Sequence, residues 1–363
     1  MLRTRSRWVV GGTGAFLSAL VVLSGCATAK TTSTSNPGPC KIAFLLPENT
    51  TPRYEADDHP LFLAAVKAQD PSCQVLYFNA ANSADKQQQQ AESALSQGAK
   101  VLVLDAADTN SAANIVSEAK AQGVKTIAYD RAAGGPLAYQ IGFDNVTVGE
   151  QQANSLVTAM KAAGHPNGKI VMLNGAPDAT GAFFKQGAHN VLDKSGYTIA
   201  AEFDTTGWSP TTATTEMTQA ISRVGKDQIV GVYSANDTLA GAAITAMQQA
   251  GMSPLPPITG LDATNEGLQR ILLGTQTMTV YKAIKSETNL AAKIAIQMVN
   301  GQSPQGTSTK KNSTGDTVQT QDLPPVAVTA ANVKSTVVAD GFISAKALCA
   351  GDVATACAKD GIS

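Results

Sequence analysis

The sequence predicts an α/β protein made of two doubly wound parallel-sheet lobes joined by a hinge that the chain crosses several times. The chain has 363 residues, its short apolar runs alternate with longer helical segments, and that alternation starts again near the middle. A chain of this length can bury two separate cores. Strands that are apolar throughout are typical of parallel sheets covered by helices on both faces.

The first half of the chain carries four apolar strands with helices between them. The run KIAFLL is the first strand, and the intervening helices have the length of crossover connections. Right-handed crossovers would place these strands side by side in one sheet. The predicted strands are 41–46, 74–80, 100–106 and 125–130, and the predicted helices are 61–69, 84–97 and 110–122.

The second half of the chain repeats the alternation of strands and helices, which predicts a second lobe. A further helix and strand follow after both predicted sheets are complete, so we expect the chain to cross between the lobes more than once. The predicted helices are 148–163, 183–195, 211–224, 238–251 and 286–300, and the strands are 169–173, 198–203, 228–234, 256–262 and 278–282, followed by a polar stretch at 302–320 and an apolar run at 324–330.

The N-terminus is typical of a targeting segment. Arg3, Arg5 and Arg7 precede an apolar stretch at 9–23, which has the length of a secretion signal and is short for a membrane span. It ends in LSGC, which resembles the bacterial lipobox, although an ordinary signal peptide with a chance cysteine is the alternative. We predict a signal peptide at 1–25, lipidation of Cys26, a flexible Ser/Thr-rich tether at 26–39, and a location on the outer face of the cytoplasmic membrane.

Four further cysteines are candidates for disulfides, because export exposes thiols to oxidation. Cys40 and Cys73 each precede a predicted strand, and the starts of neighbouring strands lie side by side. Cys349 and Cys357 are eight residues apart near the C-terminus. We predict the pairs 40–73 and 349–357, with free thiols or another connectivity as the alternatives.

The bulk composition excludes several classes of function. Charged residues make up 15% of the chain and the formal net charge is -1, so electrostatics give no reason to expect nucleic-acid binding. The histidines His59, His165 and His189 are far apart without helical spacing, so we expect no metal site built on histidine. We also expect no cofactor.

Polar and aromatic residues follow the predicted strands, where open α/β sheets bind their ligands. Two such lobes facing each other would bring these loops to one cleft. The candidate ligand residues are Arg53, Tyr54, Asp130, Arg131, Asp178, Trp208, Asn236, Asp262 and Lys282.

This mixture of side chains suits a sugar. Each hydroxyl both donates and accepts hydrogen bonds, so carboxylates, amides and guanidinium groups can pair with it. The C–H faces of a pyranose are apolar, which makes Tyr54 and Trp208 the candidate stacking rings. For a single residue the simpler interpretation is structural: Asp108 and Asp237 are predicted helix caps, and Trp208 could be half-buried core.

An enzyme is the less favoured interpretation. Several carboxylates in one cleft could hydrolyse glycosides if one carried a raised pKa. Each candidate carboxylate has an expected Arg, Lys or Asn neighbour, which favours hydrogen bonding to a ligand instead. The sequence contains no G-x-S-x-G, P-loop or H-E-x-x-H motif.

The chain resembles the ribose/xylose class of type I periplasmic binding proteins, which serve ABC importers. The resemblance runs from Lys41 to about Ser344. Its motifs are GTQTMTVYK (274–282), AYDR (128–131), FDN (143–145), GWSP (207–210), SAND (234–237) and GLDA (260–263).

The resemblance implies sugar contacts at the candidate residues named above, with two departures. Tyr54 stands where the family has Trp, and the region 177–187 is one residue shorter, so that Ala179 or Thr180 replaces a ligand Asn. It also implies a monomer that captures a monosaccharide and delivers it to a permease with its ATPase. A sensor that hands the sugar to a chemoreceptor or kinase is the alternative. The implied lobes are 40–142 plus 283–322 and 143–282 plus 323–345, followed by a tail at 346–363.

Overall fold

The computed structural model describes residues 39–177 and 180–362. The predicted signal peptide, Cys26, the tether up to residue 38, and Asp178 lie outside these residues. Within them, no helix is both long and apolar enough to cross a bilayer.

The described residues alternate strands and helices, as the apolar runs predict. A π-helical turn, Tyr54–Asp58, precedes the first helix. The strands are β1 (Lys41–Leu46), β2 (Gln74–Asn79), β3 (Val101–Leu104), β4 (Lys125–Asp130), β5 (Tyr139–Phe143), β6 (Lys169–Asn174), β7 (Thr198–Asp204), β8 (Ile229–Ser234), β9 (Thr279–Tyr281), β10 (Ser308–Lys311), β11 (Thr317–Leu323) and β12 (Val326–Val328). The helices are α1 (His59–Gln69), α2 (Ala84–Ser96), α3 (Ala112–Ala121), α4 (Asn145–Ala162), α5 (Gly181–Leu192), α6 (Pro210–Val224), α7 (Asp237–Gln249), α8 (Asn265–Leu272), α9 (Ile284–Val299), α10 (Ala345–Leu348) and α11 (Ala354–Lys359).

The first lobe is built on a sheet with the strand order β10-β11-β5-β4-β3-β1-β2. All neighbours pair in parallel except β10 and β11, which form an antiparallel hairpin. Strand β1, which lies between β3 and β2, is buried from Ile42 to Leu46, which accounts for the apolar sequence of these residues. Helices α1 and α9 cover one face of this sheet, and α2 and α3 cover the other.

The second lobe is built on the parallel sheet β7-β6-β8 and the antiparallel pair β9-β12. The prediction of a regular strand at 256–262 is wrong. This segment makes only isolated bridges, from Ile258 to Val232 and from Leu261 to Val280. Pro256 and Pro257 explain the difference, because proline has no backbone N–H to donate to a ladder.

Three segments of chain connect the lobes. One joins β5 to α4, the second joins β9 to α9, and the third joins β11 to β12. Because β11 pairs with β5 in the first sheet while β12 pairs with β9 in the second lobe, the third segment crosses directly between sheets. The polar stretch predicted at 302–320 contributes the β10–β11 hairpin, which the sequence pattern does not indicate.

Both predicted disulfides are present, so the predicted pairing is confirmed. Cys40–Cys73 joins the starts of β1 and β2, with the Cα atoms 4.6 Å apart. Cys349–Cys357 closes a short loop, with the Cα atoms 5.8 Å apart. Cys357 and Ile362 belong to the same buried hydrophobic cluster as Leu268 of α8, so the C-terminal segment packs onto the second lobe.

Candidate functional site

A cavity lies between the two lobes at the carboxyl ends of their strands. It brings together eight of the nine predicted ligand residues, and Asp178 lies outside the described residues. The predicted residues that line it are Arg53, Tyr54, Asp130, Arg131, Trp208, Asn236, Asp262 and Lys282, and the others are Thr51, Thr180, Phe184 and Leu261.

Three of these residues have a strained backbone. Asp130, Trp208 and Asp262 have φ angles of 53°, 54° and 91°, in a region that side chains other than glycine rarely occupy. Such conformations persist where the surrounding structure determines them, and they concentrate at ligand sites. The strand ends therefore aim these side chains into the cavity at a conformational cost.

Arg53 is the centre of a buried ion cluster. Its Nε and Nη2 donate to the two oxygens of Asp58 at 2.9 and 2.8 Å, and its Nη2 also contacts Glu287 Oε2 at 3.5 Å. Its Nη1 lies 3.3 Å from Asp130 Oδ2 and 3.7 Å from Asp262 Oδ1. Among the described residues, Nη1 has no hydrogen-bond partner of good geometry, so it can donate to a ligand.

Two ion pairs join the lobes across the cavity. Lys282, directly after β9, contacts Asp130 Oδ1 with its Nζ at 2.6 Å. Arg53 of the first lobe contacts Asp262 of the second, as described above. Lys282 Nζ also lies 5.4 Å from the centre of the Phe143 ring, within the range of a cation–π interaction. The charges that face a ligand therefore also hold the two lobes together.

Arg131 and Tyr54 form a second group. The Nε of Arg131 donates to the Tyr54 hydroxyl at 3.1 Å, and its guanidinium contacts Glu48 and Asp105 at 3.5 and 3.6 Å. The guanidinium carbons of Arg53 and Arg131 lie 5.2 and 5.3 Å from the centre of the Tyr54 ring. The ring is therefore part of the cationic cluster, and its role as a stacking surface for a sugar stays a prediction.

The expectation that neighbouring cations keep the pKa values of the candidate carboxylates low is wrong for Asp262 and correct for Asp130. Burial raises the pKa of Asp262 above its ordinary value, although Lys282 and Arg53 oppose this shift. Burial also raises the pKa values of Asp105 and Glu287 well above their ordinary ranges. For Asp130, burial acts in the same direction, but Arg53 and Lys282 outweigh it and lower the pKa. The cavity thus contains hydrogen-bond donors and acceptors of different charge.

Trp208 and Phe184 form the apolar wall of the cavity. Their rings meet edge to face with centroids 6.2 Å apart. Trp208 is 4% exposed, and its Nε1 has no hydrogen-bond partner among the described residues. Phe184 was not predicted, because it lies within α5 rather than directly after a strand.

Asn236 lines the cavity and also caps α7. Its side-chain oxygen accepts from the amide of Leu239 at 2.9 Å, which leaves the side-chain NH₂ for a ligand. The prediction that Asp237 is the cap is therefore wrong by one residue. Asp108 caps the turn before α3 rather than the helix itself: its carboxylate accepts from the amide of Ser111 at 2.7 Å, and Ser111 occupies the N-cap position of α3.

Four carboxylates behind the lining are not among the candidate ligand residues. Asp58 belongs to the polar loop after the first predicted strand, which the strand-end argument covers, and Glu48 of the same loop and Asp105 at the end of a predicted strand could have been included with it. Glu287 lies on α9 and gives no such signal. All four are fully buried, which the sequence pattern alone does not indicate for acidic residues.

Comparison with known proteins decides the family. Residues 42–303 match the family described as periplasmic binding protein domain. This chain is a periplasmic binding protein. It is 34% identical over 308 residues to the D-xylose-binding periplasmic protein of Escherichia coli K12, covering 83% of this chain and 90% of the relative.

Two further relatives of this periplasmic binding protein are informative. The multiple sugar-binding periplasmic receptor ChvE of Rhizobium radiobacter is 32% identical and spans 71% of this chain and 79% of its own. The structure of a carbohydrate transporter solute binding protein from Chloroflexus aurantiacus, in complex with D-glucose, superposes with a TM-score of 0.76 at 26% identity, over 84% of this chain and 97% of that one. Both relatives are named as binding proteins for sugars or carbohydrates, the class that the motifs of this chain predict.

Proposed function

We propose that this chain is an extracytoplasmic receptor that captures one monosaccharide between its lobes and delivers it to an ABC importer. The ligand is a xylose-like pentose or a related aldose. The observation that carries the proposal is the small interlobe cavity, which combines charged donors and acceptors with an aromatic wall. That combination matches the hydroxyls and the apolar face of a pyranose. The relatives that bind xylose and glucose support the same ligand class.

The importer would consist of a permease and its ATPase, and the receptor would act as a monomer with no nucleic-acid partner. The lobes would comprise 40–142 plus 283–322 and 143–282 plus 323–345, with a tail at 346–363. Several relatives are named as import binding proteins, which does not favour the sensor alternative.

Within this proposal, Trp208 binds the sugar face and the polar residues recognise its hydroxyl pattern. Trp208→Ala should weaken binding of every sugar that fits by about 10- to 100-fold, since apolar contact does not depend on stereochemistry. Asp262→Asn should weaken some epimers much more than others, because an unmatched hydroxyl leaves a buried polar group unpaired.

Calorimetry of the mature protein with D-xylose, D-lyxose, D-ribose, L-arabinose and D-glucose measures both effects. A thermal-shift screen comes first, since a sugar at 100 times its dissociation constant adds about 2.7 kcal/mol of stability. Absence of any shift across pentoses and hexoses would argue against the proposal. Unchanged affinity in both variants would place the binding site elsewhere.

The lipid anchor at Cys26 is a separate part of the proposal, resting on the LSGC sequence. Cys26→Ser should abolish incorporation of a labelled fatty acid and release the protein from the membrane fraction, or leave it with an uncleaved signal. Equal labelling of the variant and the natural protein would exclude lipidation at this residue.

A further inference from the structure

Asp237 stands beside the proposed sugar site without lining it. It is the first residue of α7, it is 1% exposed, and its neighbour Asn236 provides the helix cap. Its amide donates to the carbonyl of Leu261 at 3.0 Å, so the start of α7 is bonded to the segment that carries Asp262. Neither capping nor direct contact with a ligand accounts for a buried carboxylate at this position.

Both oxygens of the Asp237 carboxylate accept hydrogen bonds, one from the loop that follows Asp262 and the other from the segment between α8 and β9. Oδ2 accepts from the amide and the hydroxyl of Thr264 at 2.9 and 3.2 Å. Oδ1 accepts from Gln276 Nε2 at 2.6 Å. Arg270 completes the network, donating from Nη2 to the Asp237 carbonyl at 2.7 Å and from Nε to Gln276 Oε1 at 3.0 Å.

Two glycines enclose this carboxylate. A Cβ atom added at Gly260 would lie 2.0 Å from Oδ1, and one added at Gly267 would lie 2.2 Å from Oδ2. The carboxylate therefore fits a space that a side chain at either position would fill. Such close enclosure fixes its position with respect to the loop.

The loop that it holds contains two consecutive residues with a strained backbone. Asp262 and Ala263 have φ angles of 91° and 49° in succession. The loop is tied on one side by the bond from the Asp262 amide to the Val280 carbonyl at 2.9 Å, and on the other by the Thr264 amide on Asp237. Consecutive left-handed residues persist only where their surroundings determine them.

We propose that Asp237 is a positioning residue that fixes Asp262 and Asn236 in the geometry that sets sugar selectivity. This inference rests on the proposed function. Asp237 is adjacent in sequence to Asn236 and bonds to the residue two positions after Asp262, so one carboxylate orients polar groups on two loops of the second lobe.

The test is Asp237→Asn, which keeps the shape but offers a single acceptor oxygen. Either Thr264 or Gln276 then faces an NH₂ group, donor against donor. Affinity for the preferred sugar of the panel should fall by about tenfold or more, since a buried donor loses its acceptor. The order of preference among D-xylose and its epimers should change in the same direction as in Asp262→Asn.

A double-mutant cycle separates positioning from general destabilisation. If Asp237 acts through Asp262, Asp237→Asn should cost less affinity in an Asp262→Asn background than in the natural protein. Additive losses would overturn the proposal. Met247→Ala is the matched control, because it is buried in the same helix, about 15 Å further along at 1.5 Å per residue. It should lower stability without changing selectivity, and a selectivity change equal to that of Asp237→Asn would also overturn the proposal.

Amide hydrogen exchange of the sugar-free protein tests the same idea without a ligand. Asp237→Asn should accelerate exchange at Asp262 and Thr264 relative to Met247→Ala, and unchanged protection there would refute the positioning role. If the natural protein binds no sugar, the proposed function is refuted. The exchange rates at Asp262 and Thr264 would still show whether Asp237 holds this loop in place. If Asp237→Asn does not fold, Gln276→Met removes the donor to Oδ1 and should give smaller effects in the same direction.

Discussion

Replacing Arg53 with Met should abolish sugar binding and lower the free energy of unfolding by about 3–5 kcal/mol, because it leaves buried carboxylates without their counter-charge. Asp58 loses two hydrogen bonds, while Asp130 and Asp262 lose a cation within 4 Å. Urea unfolding gives the stability and calorimetry gives the affinity. The stability and the sugar affinity of Arg53→Lys should fall between those of the natural protein and Arg53→Met, since lysine keeps the charge but not the paired bonds to Asp58.

The loss in Arg53→Met should depend on pH. Burial already raises the pKa values of Asp262 and Glu287 above their ordinary values of 3.8 and 4.5, and Arg53 opposes both shifts. Without Arg53 these pKa values should rise further. A carboxyl group with a raised folded-state pKa stabilises the fold below its unfolded pKa, and this contribution is lost as the pH rises through the folded pKa. The free energy of unfolding of Arg53→Met should therefore be closest to that of the natural protein at acidic pH.

A surface ion pair provides the control for Arg53. Lys310 pairs with Asp322 at the edge of the first sheet, and its side chain is 44% exposed. Lys310→Met should change stability by less than about 1 kcal/mol, because exposed pairs gain little from their attraction. A similar effect of Lys310→Met and Arg53→Met would contradict the importance of burial in the cluster.

Gly175→Ala should weaken binding of all sugars about as much as Trp208→Ala does. A Cβ atom at Gly175 would lie 1.9 Å from the end of the Trp208 ring. The indole must therefore move away from the cavity wall. Overpacking of this kind costs about 1–3 kcal/mol of stability, so the variant should fold but bind poorly. Calorimetry with the sugar panel measures the loss.

The double variant Gly175→Ala with Trp208→Ala shows whether the clash is the cause. Once the indole is removed, the added methyl group has space, and Gly175→Ala should cost almost no further affinity or stability. Normal sugar binding by Gly175→Ala alone would mean that the position of Trp208 is not important for recognition.

The sequence allowed β1–β4 and β6–β9 to be predicted, but not β5, which is buried except at Gln140 and lies between β4 and β11. Strand β1 is apolar from Ile42 to Leu46, and its bounds agree with the prediction. Strands without an apolar run were harder to predict. The four residues of β10 are all exposed, and β11 is fixed by pairing with β5, a contact distant in sequence. Local periodicity cannot indicate such strands, because their stability comes from a partner.

The candidate site followed from topology more than from residue type. Strand-end residues converge because parallel strands end at the same edge of a sheet, which is why residues as distant as Arg53 and Lys282 were predicted together. Asn and Asp both cap helices, so the sequence does not indicate whether Asn236 or Asp237 caps α7. The structure shows that Asn236 does. The burial of Glu287 depends on helix α9 returning to the first sheet, which no local pattern indicates.

The disulfide at the start of β1 has a mechanical consequence. Cys40 lies at the opposite end of β1 from the loop that carries Arg53, and its bond to Cys73 ties it to β2. A pulling force on the chain before Cys40 is therefore shared between two strands by a covalent link. The strand that leads to Arg53 is shielded from being peeled out of the sheet, so tension at the N-terminus would leave the cavity undeformed.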